Sequence, residues 1–294
     1  MGSTDAAGHD IVRLTAADVT QALDLSTSAQ WNQNAADWLM MFSLGQGFGI
    51  HAVDEQGARR LAASAVLLPY GPHFAWVSMV LVLPAFQRRG LATAVLKHAL
   101  GWLRERGMAG VLDATPAGRA VYAQEGFVDT WRFARYRREA GPPAPPAPER
   151  SDVRAIANAD WPNVERLDEA TFGADRMRVL RTLSARWPGA ARVVASAHQT
   201  RGVMFGRDGR EAHHIGPLLA DDAASAEALI DTALRDAPGA VYLDLLDTRR
   251  PELLSWLQAQ GFVFQRPFTR MVWGTRSAPG DTSRLWAVAG PELG

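Results

Sequence analysis

The sequence predicts an α/β protein of two consecutive domains, each with a central mixed, mostly antiparallel sheet flanked by helices. The chain has 294 residues, which suits two domains better than one. Five prolines within residues 141–149 divide it nearly in half and favour an extended spacer, because proline joins neither helices nor interior strands. The predicted element order before this spacer recurs after it. We therefore expect domains at residues 1–140 and 151–294, joined by a linker at residues 141–150.

The first half shows the periodicities of an alternating strand and helix protein. Its longest predicted helix has Leu91, Val95, Ala99 and Leu103 on one face, and it ends at Gly107. The predicted elements are a strand at 11–14, helices at 17–27 and 35–44, strands at 48–53, 60–68 and 76–83, a helix at 90–106, a strand at 111–113, a helix at 117–125, and strands at 127–128 and 131–138.

The second half repeats this order. Its third helix is followed by a strand and a helix that ends at Gly261 and Phe262, as the corresponding helix of the first half ends at Gly126 and Phe127. The predicted elements begin with a strand at 153–154 and continue with helices at 160–171 and 175–187, strands at 192–197, 202–207 and 213–217, a helix at 223–236, a strand at 241–245 and a helix at 251–260. We interpret the repetition as a duplication; two unrelated α/β domains are the alternative.

Composition excludes several classes of function. Apolar residues make up 47% of the chain, and 31 basic residues balance 31 acidic ones, so no overall field attracts nucleic acid or an anionic membrane. The chain has no cysteine, which excludes disulfides and thiolate chemistry. The first ten residues lack a signal-peptide core, and no apolar run is long enough to span a bilayer. We expect a cytoplasmic protein with neither nucleic-acid nor membrane partners.

A predicted phosphate-binding turn is the most informative segment. The apolar strand at 76–83 leads through Pro84 into Gln87-Arg88-Arg89-Gly90-Leu91-Ala92, where a helix begins. The first N–H groups of a helix are free and lie at the positive end of its dipole, so this order builds a pyrophosphate site that needs no metal.

Gln87-x-x-Gly90-x-Ala92 after an apolar strand resembles the acetyl-CoA signature of the GCN5-related N-acetyltransferase (GNAT) superfamily. The resemblance implies two tandem GNAT-like domains, acetyl-CoA as co-substrate and no metal. It also implies a bulged signature strand whose free backbone pairs with the pantetheine arm, and backbone N–H groups that hold the pyrophosphate. The cofactor-binding residues implied are Val80, Leu81, Val82, Gln87, Arg88, Arg89, Gly90, Leu91, Ala92 and Thr93. The side chains of Arg88 and Arg89 are equally consistent with solvated surface arginines.

The same resemblance extends to Tyr122-x-x-x-Gly126-Phe127, although Thr115 and Gly118 stand where Asn and Ala are usual. In GNAT enzymes the tyrosine of this block protonates the departing thiolate, so we expect Tyr122 to be the general acid. Its alternative is a core aromatic. No glutamate lies on the signature strand, and Asp113 is the nearest candidate base. A water relay, or an amine that arrives neutral, is equally open.

Acceptor contacts in GNAT enzymes come from the segment between the first two helices and from the turn before the signature strand. This implies substrate contacts at Trp31, Asn32, Asp37 and Trp76. Trp31 and Trp38 lie seven residues apart, so a core position is the default for at least one of them.

The second half lacks the signature. Asp221 and Asp222 stand at the start of its predicted helix, where they would repel a pyrophosphate, and Leu257 occupies the place of Tyr122. We expect this domain to be degenerate, with the apolar segment 285–294 docked on it as an added strand.

We therefore predict an N-acetyltransferase that moves an acetyl group from acetyl-CoA to a primary amine of a small molecule by direct attack in a ternary complex. Analogy with tandem proteins of the kasugamycin type favours an aminoglycoside-type antibiotic, and hence a role in antibiotic resistance. The alternatives are a protein or amino-acid N-acetyltransferase and a non-catalytic acyl-CoA-binding protein. The oligomeric state and the acceptor stay open.

Overall fold

The structure is a computed structural model, and it describes residues 3–4, 9–141, 152–195 and 199–294. The predicted proline-rich linker, apart from Gly141, lies outside the described residues, as does the end of the strand predicted at 192–197. In the described part of the chain, no helix is both long and apolar enough to cross a lipid bilayer.

The described residues of the first half form seven strands and four α-helices, close to the predicted order. Gly107 follows the longest helix with a φ of 64°, a left-handed conformation that glycine adopts without strain. The elements are β1 (Ser3–Thr4), β2 (Asp10–Leu14), α1 (Val19–Ser28), α2 (Ala35–Leu44), β3 (Gln46–Val53), β4 (Arg59–Tyr70), β5 (Phe74–Val82), α3 (Leu91–Glu105), β6 (Ala109–Ala114), α4 (Pro116–Gln124) and β7 (Val128–Arg138).

Among the described residues, the second half repeats the order from β2 to β7 and ends with one additional strand, β14. Its elements are β8 (Val153–Ala155), α5 (Trp161–Phe172), α6 (Met177–Arg186), β9 (Arg192–Ala195), β10 (Thr200–Arg207), β11 (His213–Ala220), α7 (Ala223–Asp236), β12 (Val241–Leu246), α8 (Arg250–Ala259), β13 (Phe262–Trp273) and β14 (Leu285–Ala287). The predicted α/β class and the mixed sheet are therefore confirmed.

The 14 strands found among the described residues of both halves form one sheet, in the order β1-β2-β3-β4-β5-β6-β13-β7-β12-β14-β11-β10-β9-β8. The halves exchange strands at its centre. Strand β13 of the second half lies between β6 and β7 of the first half, and β7 lies between β13 and β12. The sequence did not predict this exchange, because a strand can pair equally well within its own half or with the equivalent strand of the other half.

The exchange is extensive. Strand β7 pairs with β13 along nearly its whole length, from Val128 opposite Val272 to Arg138 opposite Phe262. On its other edge β7 pairs with β12, and β13 pairs with β6, all of them antiparallel. At the centre the rings of Phe133 and Phe268 stack with centroids 5.0 Å apart, and both residues are buried.

The helices cover the sheet as three apolar clusters. Helix α3 buries Leu91, Val95 and Leu103 against β3, β4 and β5 of the first half, and helix α7 covers β10 and β11 of the second half in the same way. Buried residues of α1, α2, α5 and α6 belong to a single cluster that runs between the halves. Because the halves share this cluster and exchange strands, any cleft near β6 and β13 is built by both.

Candidate active site

Strands β5 and β6 diverge and open the sheet of the first half. Their parallel ladder pairs Phe74 with Ala109 and ends at Trp76 and Val111. A bulge lies in β5 opposite Ala65 of β4, and Met79 at the bulge has a φ of 51°, which is left-handed and rare for a non-glycine residue. The β6-facing backbone of β5 after the bulge is therefore available to an added strand-like ligand.

The N-terminus of α3 lies directly after this strand. A 3₁₀ turn at Pro84–Phe86 precedes it, and Gly90 caps the helix with a φ of 78° and no side-chain hydrogen bond. Arg88 also has a positive φ, of 61°. The first N–H groups of the helix have no intrahelical partner, and a Cβ at Gly90 would meet open space. This arrangement suits an anion at the helix N-terminus.

The other residues of the predicted phosphate turn are exposed. Gln87, Arg88 and Arg89 all face solvent. The Arg89 guanidinium donates to the Ala85 carbonyl at 3.0 Å and lies 5.2 Å from the centroid of the Phe86 ring, so it is held against its own loop. Leu91 is buried in the core, and only its backbone can serve an anion.

A narrow cleft begins where β5 and β6 diverge. Tyr122 of α4 lines it, with its ring edge-on to Phe127 at 5.8 Å between centroids. Burial raises the pKa of Tyr122 to about 12, so its hydroxyl is protonated at neutral pH. Thr115 caps α4 through a hydrogen bond from the Gly118 N–H at 3.2 Å, which fixes the helix that carries Tyr122.

Asp113, the candidate base, also lines the cleft, but it is held in an ion pair. Arg270 of the exchanged strand β13 donates to both of its carboxylate oxygens at 2.9 Å. The Arg270 guanidinium lies 4.4 Å and 4.0 Å from the ring centroids of Trp76 and Trp131. Burial raises the pKa of Asp113, while Arg270 opposes the rise. With both oxygens occupied, this carboxylate is placed to position Arg270 rather than to take a proton from a substrate.

Two of the four predicted substrate residues line the cleft, Trp31 and Asn32. Trp31 is half-buried. The Asn32 amide group bridges to the second half: its oxygen accepts from the N–H groups of Glu211 and Ala212, and its nitrogen donates to the Ala212 carbonyl at 2.9 Å. Asn32 thus fixes the cleft wall, and Trp31 keeps a surface for a ligand.

The other two, Asp37 and Trp76, are 0% exposed, and the structure does not bring them to the cleft surface. The Asp37 carboxylate accepts from Arg186 at 2.5 Å and from Arg207 at 3.0 Å, so it joins the two halves. Trp76 donates its indole N–H to the Pro291 carbonyl at 2.9 Å. These two residues hold the interface behind the site, and their contact with substrate stays a prediction.

Several cleft residues were missed from the sequence, and most come from the exchanged strands or from the segment after β14. They are Gln33, Ser78, Arg135, Arg266, Phe268, Pro291 and Glu292. Arg135 lies in the buried part of β7, but this strand carries several other charged residues, so the sequence did not single Arg135 out. Nothing local indicated that β13 would lie beside β6.

Comparison with known proteins agrees with this geometry. Residues 18–127 match the model of the acetyltransferase (GNAT) family, and residues 164–287 match a second model, of the acetyltransferase (GNAT) domain. The chain belongs to the GNAT superfamily. It carries two GNAT domains in tandem, and the predicted enzyme class, an acetyl-CoA-dependent N-acetyltransferase, is confirmed. No curated protein sequence matches the chain.

Solved structures share the tandem GNAT fold at low identity. A candidate acetyltransferase from Pyrococcus horikoshii is 20% identical with a TM-score of 0.74, over 97% of this chain and 95% of that one. A tandem GNAT protein from the clavulanic acid biosynthesis pathway is 17% identical with a TM-score of 0.62, over 91% and 99%. The glucosamine N-acetyltransferase region of a fungal multi-domain β-N-acetylglucosaminidase is 12% identical with a TM-score of 0.61, over 92% and 39%. At such identity these similarities establish the fold alone.

The second GNAT domain has the same divergence of strands, but its own chain fills it. Strands β11 and β12 pair from His213 opposite Val241 and separate after Ile215 and Leu243. Strand β14 then lies between them, with Ala287 opposite both Leu218 and Leu245. Within the segment 285–294, which was expected to dock as an added strand, residues Leu285–Ala287 form β14.

The helix N-terminus of the second domain is also closed. The Asp222 carboxylate caps α7 by accepting from the Ser225 N–H at 2.8 Å, which holds the pKa of Asp222 below its usual value. Asp222 further pairs with Arg201 at 2.5 Å, and Asp221 pairs with Arg284. Leu257 of α8, which stands at the position equivalent to Tyr122, is buried in the apolar core. A pyrophosphate at this helix would meet two carboxylates.

The ion pair of Asp113 and Arg270 leads to a test. Asp113→Asn leaves a buried guanidinium without its counter-charge and should lower the free energy of unfolding by about 3–5 kcal/mol. The double variant Asp113→Asn with Arg270→Gln removes both charges and should recover much of the lost stability. It should also retain acetyl transfer, since Asp113 is not the base in our scheme. Urea unfolding and thiol release from acetyl-CoA measure the two quantities. A well-folded but inactive double variant would restore Asp113 as the base.

Proposed function

We propose that the first GNAT domain transfers an acetyl group from acetyl-CoA to the primary amine of a small molecule, by direct attack in a ternary complex. The observation that carries the proposal is the contrast between the two domains. The divergence of β5 and β6 is open and followed by a glycine-capped helix, whereas that of β11 and β12 is filled by β14 and followed by an acid-capped helix. One acetyl-CoA site per chain follows.

In this proposal the pantetheine arm pairs with the backbone of Val80, Leu81 and Val82 as an added strand. The pyrophosphate binds the backbone N–H groups of the turn and of the first turn of α3, which are those of Gln87, Arg88, Arg89, Gly90, Leu91, Ala92 and Thr93. Arg88 supplies charge from the exposed side of the loop. Arg89 contributes less, because its guanidinium is held by Ala85 and Phe86.

The chemistry requires one protonated group at the sulfur. The neutral amine nitrogen attacks the thioester carbonyl carbon, the C–S bond breaks, and the thiolate takes a proton from the Tyr122 hydroxyl. The nitrogen loses a proton to water, and the Tyr122 oxygen regains one from water, so the products are an amide and free CoA. A pKa of about 12 keeps Tyr122 protonated throughout the working range. In this scheme water acts as the base, since Arg270 donates to both carboxylate oxygens of Asp113.

The size and charges of the cleft support a small acceptor. Segment 285–294 passes from the second domain and places Pro291 and Glu292 in the cleft wall. Such an enclosed site suits a small molecule better than a protein side chain on a large surface. The glucosamine N-acetyltransferase relative acts on an amino sugar. The aminoglycoside subclass, and with it antibiotic resistance, stays a prediction; several ammonium groups would need more carboxylates than this cleft offers.

The role of Tyr122 separates an enzyme from a non-catalytic acyl-CoA-binding protein. Tyr122→Phe should lower kcat by about 100-fold or more, because the thiolate must then leave unprotonated, while the affinity for acetyl-CoA is kept. Since the pKa of Tyr122 is about 12, the wild-type rate should show no loss of this acid between pH 7 and pH 10.

Thiol release and calorimetry of acetyl-CoA binding measure both effects. Tyr136→Phe is the matched control, since Tyr136 is a buried tyrosine of β7 that does not line the cleft. An unchanged kcat in Tyr122→Phe would remove Tyr122 from the mechanism.

Gly90 and Gly107 provide a matched pair at the two ends of α3. Each has a positive φ, and a Cβ at either would meet open space. Alanine at either position should cost about 1–2 kcal/mol of backbone strain. Only Gly90→Ala places a methyl group before the helix N-terminus, so only this variant should weaken CoA binding, by about tenfold or more. Equal CoA affinity in both variants, measured by calorimetry, would contradict the proposed pyrophosphate site.

A further inference from the structure

A row of three charged residues on adjacent strands reaches the cleft, and two of them, Arg135 and Arg266, line it. Asp244 of β12 lies opposite Arg135 of β7, and Arg135 lies opposite Arg266 of β13. The first two neutralise each other, with Arg135 donating to both oxygens of Asp244 at 2.8 Å and 2.7 Å. Burial alone would raise the pKa of Asp244, but Arg135 and His214 together hold it below its usual value. The pair leaves Arg266 as the third member.

Arg266 has no such partner. Among the described residues, no carboxylate lies within 4.0 Å of its guanidinium, and its Nε is buried without a hydrogen-bond partner. The guanidinium lies 5.5 Å from the Phe268 centroid. Burial, reinforced by the neighbouring Arg135, lowers the pKa of Arg266. A partly buried cation without a counter-ion is unfavourable, and an anion in the cleft would relieve it.

Glu292 carries a negative charge that is only partly compensated. This residue is 3% exposed; its Oε1 pairs with Arg207, and its Oε2 is buried without a partner. Burial alone would raise the pKa of Glu292, but Arg207, His214 and Arg135 outweigh it and lower it. Arg207 is shared with Asp37, so Glu292 keeps a fraction of its negative charge uncompensated.

Gln33 supplies a second unused acceptor in the same wall. Its side-chain oxygen Oε1 is buried without a partner, and the residue is 4% exposed. Buried polar atoms are almost always hydrogen-bonded in native proteins, so orphaned ones that line a cleft point to a ligand. The cleft therefore offers two unused acceptors at Glu292 and Gln33, and one unused donor group at Arg266.

We propose that the acceptor is a small zwitterion of the amino-acid type, whose ammonium group binds Glu292 and Gln33 and whose carboxylate binds Arg266. This inference rests on the proposed function and names its substrate class. Glu292 receives and orients the amine, which loses one proton to water before attack. Arg266 is a specificity-determining residue, because it binds a carboxylate that a simple amine or a polycation lacks. The exchanged strand and segment 285–294 thus supply the acceptor side of the site.

The test compares matched acceptors with the full chain. Thiol release from acetyl-CoA is measured with L-lysine, L-phenylalanine, β-alanine and γ-aminobutyrate, each against its carboxamide, and with kanamycin as a polycation. The wild type should use at least one acid about 100-fold better than its amide in kcat/KM. Arg266→Gln should reduce the acid to the level of the amide and leave the amide unchanged. Glu292→Gln should raise KM for acid and amide alike.

Arg276→Gln is the matched control, since Arg276 is exposed and lies outside the cleft. Equal use of acid and amide by the wild type, or a preference for kanamycin, would overturn the zwitterion assignment and leave the acetyltransferase standing. A loss in Arg266→Gln that is equal for acid and amide would assign Arg266 to the fold or to the cofactor instead. Absence of thiol release with every amine would overturn the proposed function and this assignment together, while calorimetry of acetyl-CoA binding still tests the cofactor site.

Discussion

Two parallel strands that diverge leave the backbone between them without partners, and this constraint shapes both halves of the molecule. Unpaired N–H and C=O groups must be satisfied by chain, solvent or ligand. The second domain meets the requirement with its own strand β14, and Trp286 on that strand donates to the Ala220 carbonyl at 3.0 Å. The first domain keeps its divergence open. In our account that difference makes one domain catalytic and the other structural.

The filled domain still contributes to the site. Beyond β14 the chain crosses to the first domain, where Tyr70 donates to the Leu293 carbonyl at 3.0 Å. The same crossing brings Glu292 into the cleft, and the exchange of β13 brings Arg266 to the cleft and Arg270 to the carboxylate of Asp113. The cofactor side of the cleft thus comes from the first domain alone, while the acceptor side needs both. In our account the second domain, whose helix α7 is capped by Asp222, forms the wall that selects the substrate.

The order of elements and the phosphate turn could be predicted from the sequence, because periodicity, capping glycine and proline act locally. Gly90 before α3 and Asp222 before α7 are examples: each signals its helix N-terminus by residue type alone. The exchange of β13 could not be predicted, since β7 and β13 are repeats and either partner satisfies the same alternation. For the same reason the ion pair of Asp113 could not be predicted, because its partner Arg270 lies 157 residues away. Asp37 and Trp76 were predicted to contact substrate from their positions in the family pattern. Such a position does not tell whether a side chain is buried.

The central claim is that one of two similar strand divergences binds acetyl-CoA. Hydrogen–deuterium exchange of the full chain, with and without acetyl-CoA, tests it most directly. The account predicts slower amide exchange over residues 80–93 when acetyl-CoA is added, and unchanged exchange over the corresponding residues 218–225 of the second domain. Protection at 218–225, or none at 80–93, would contradict it.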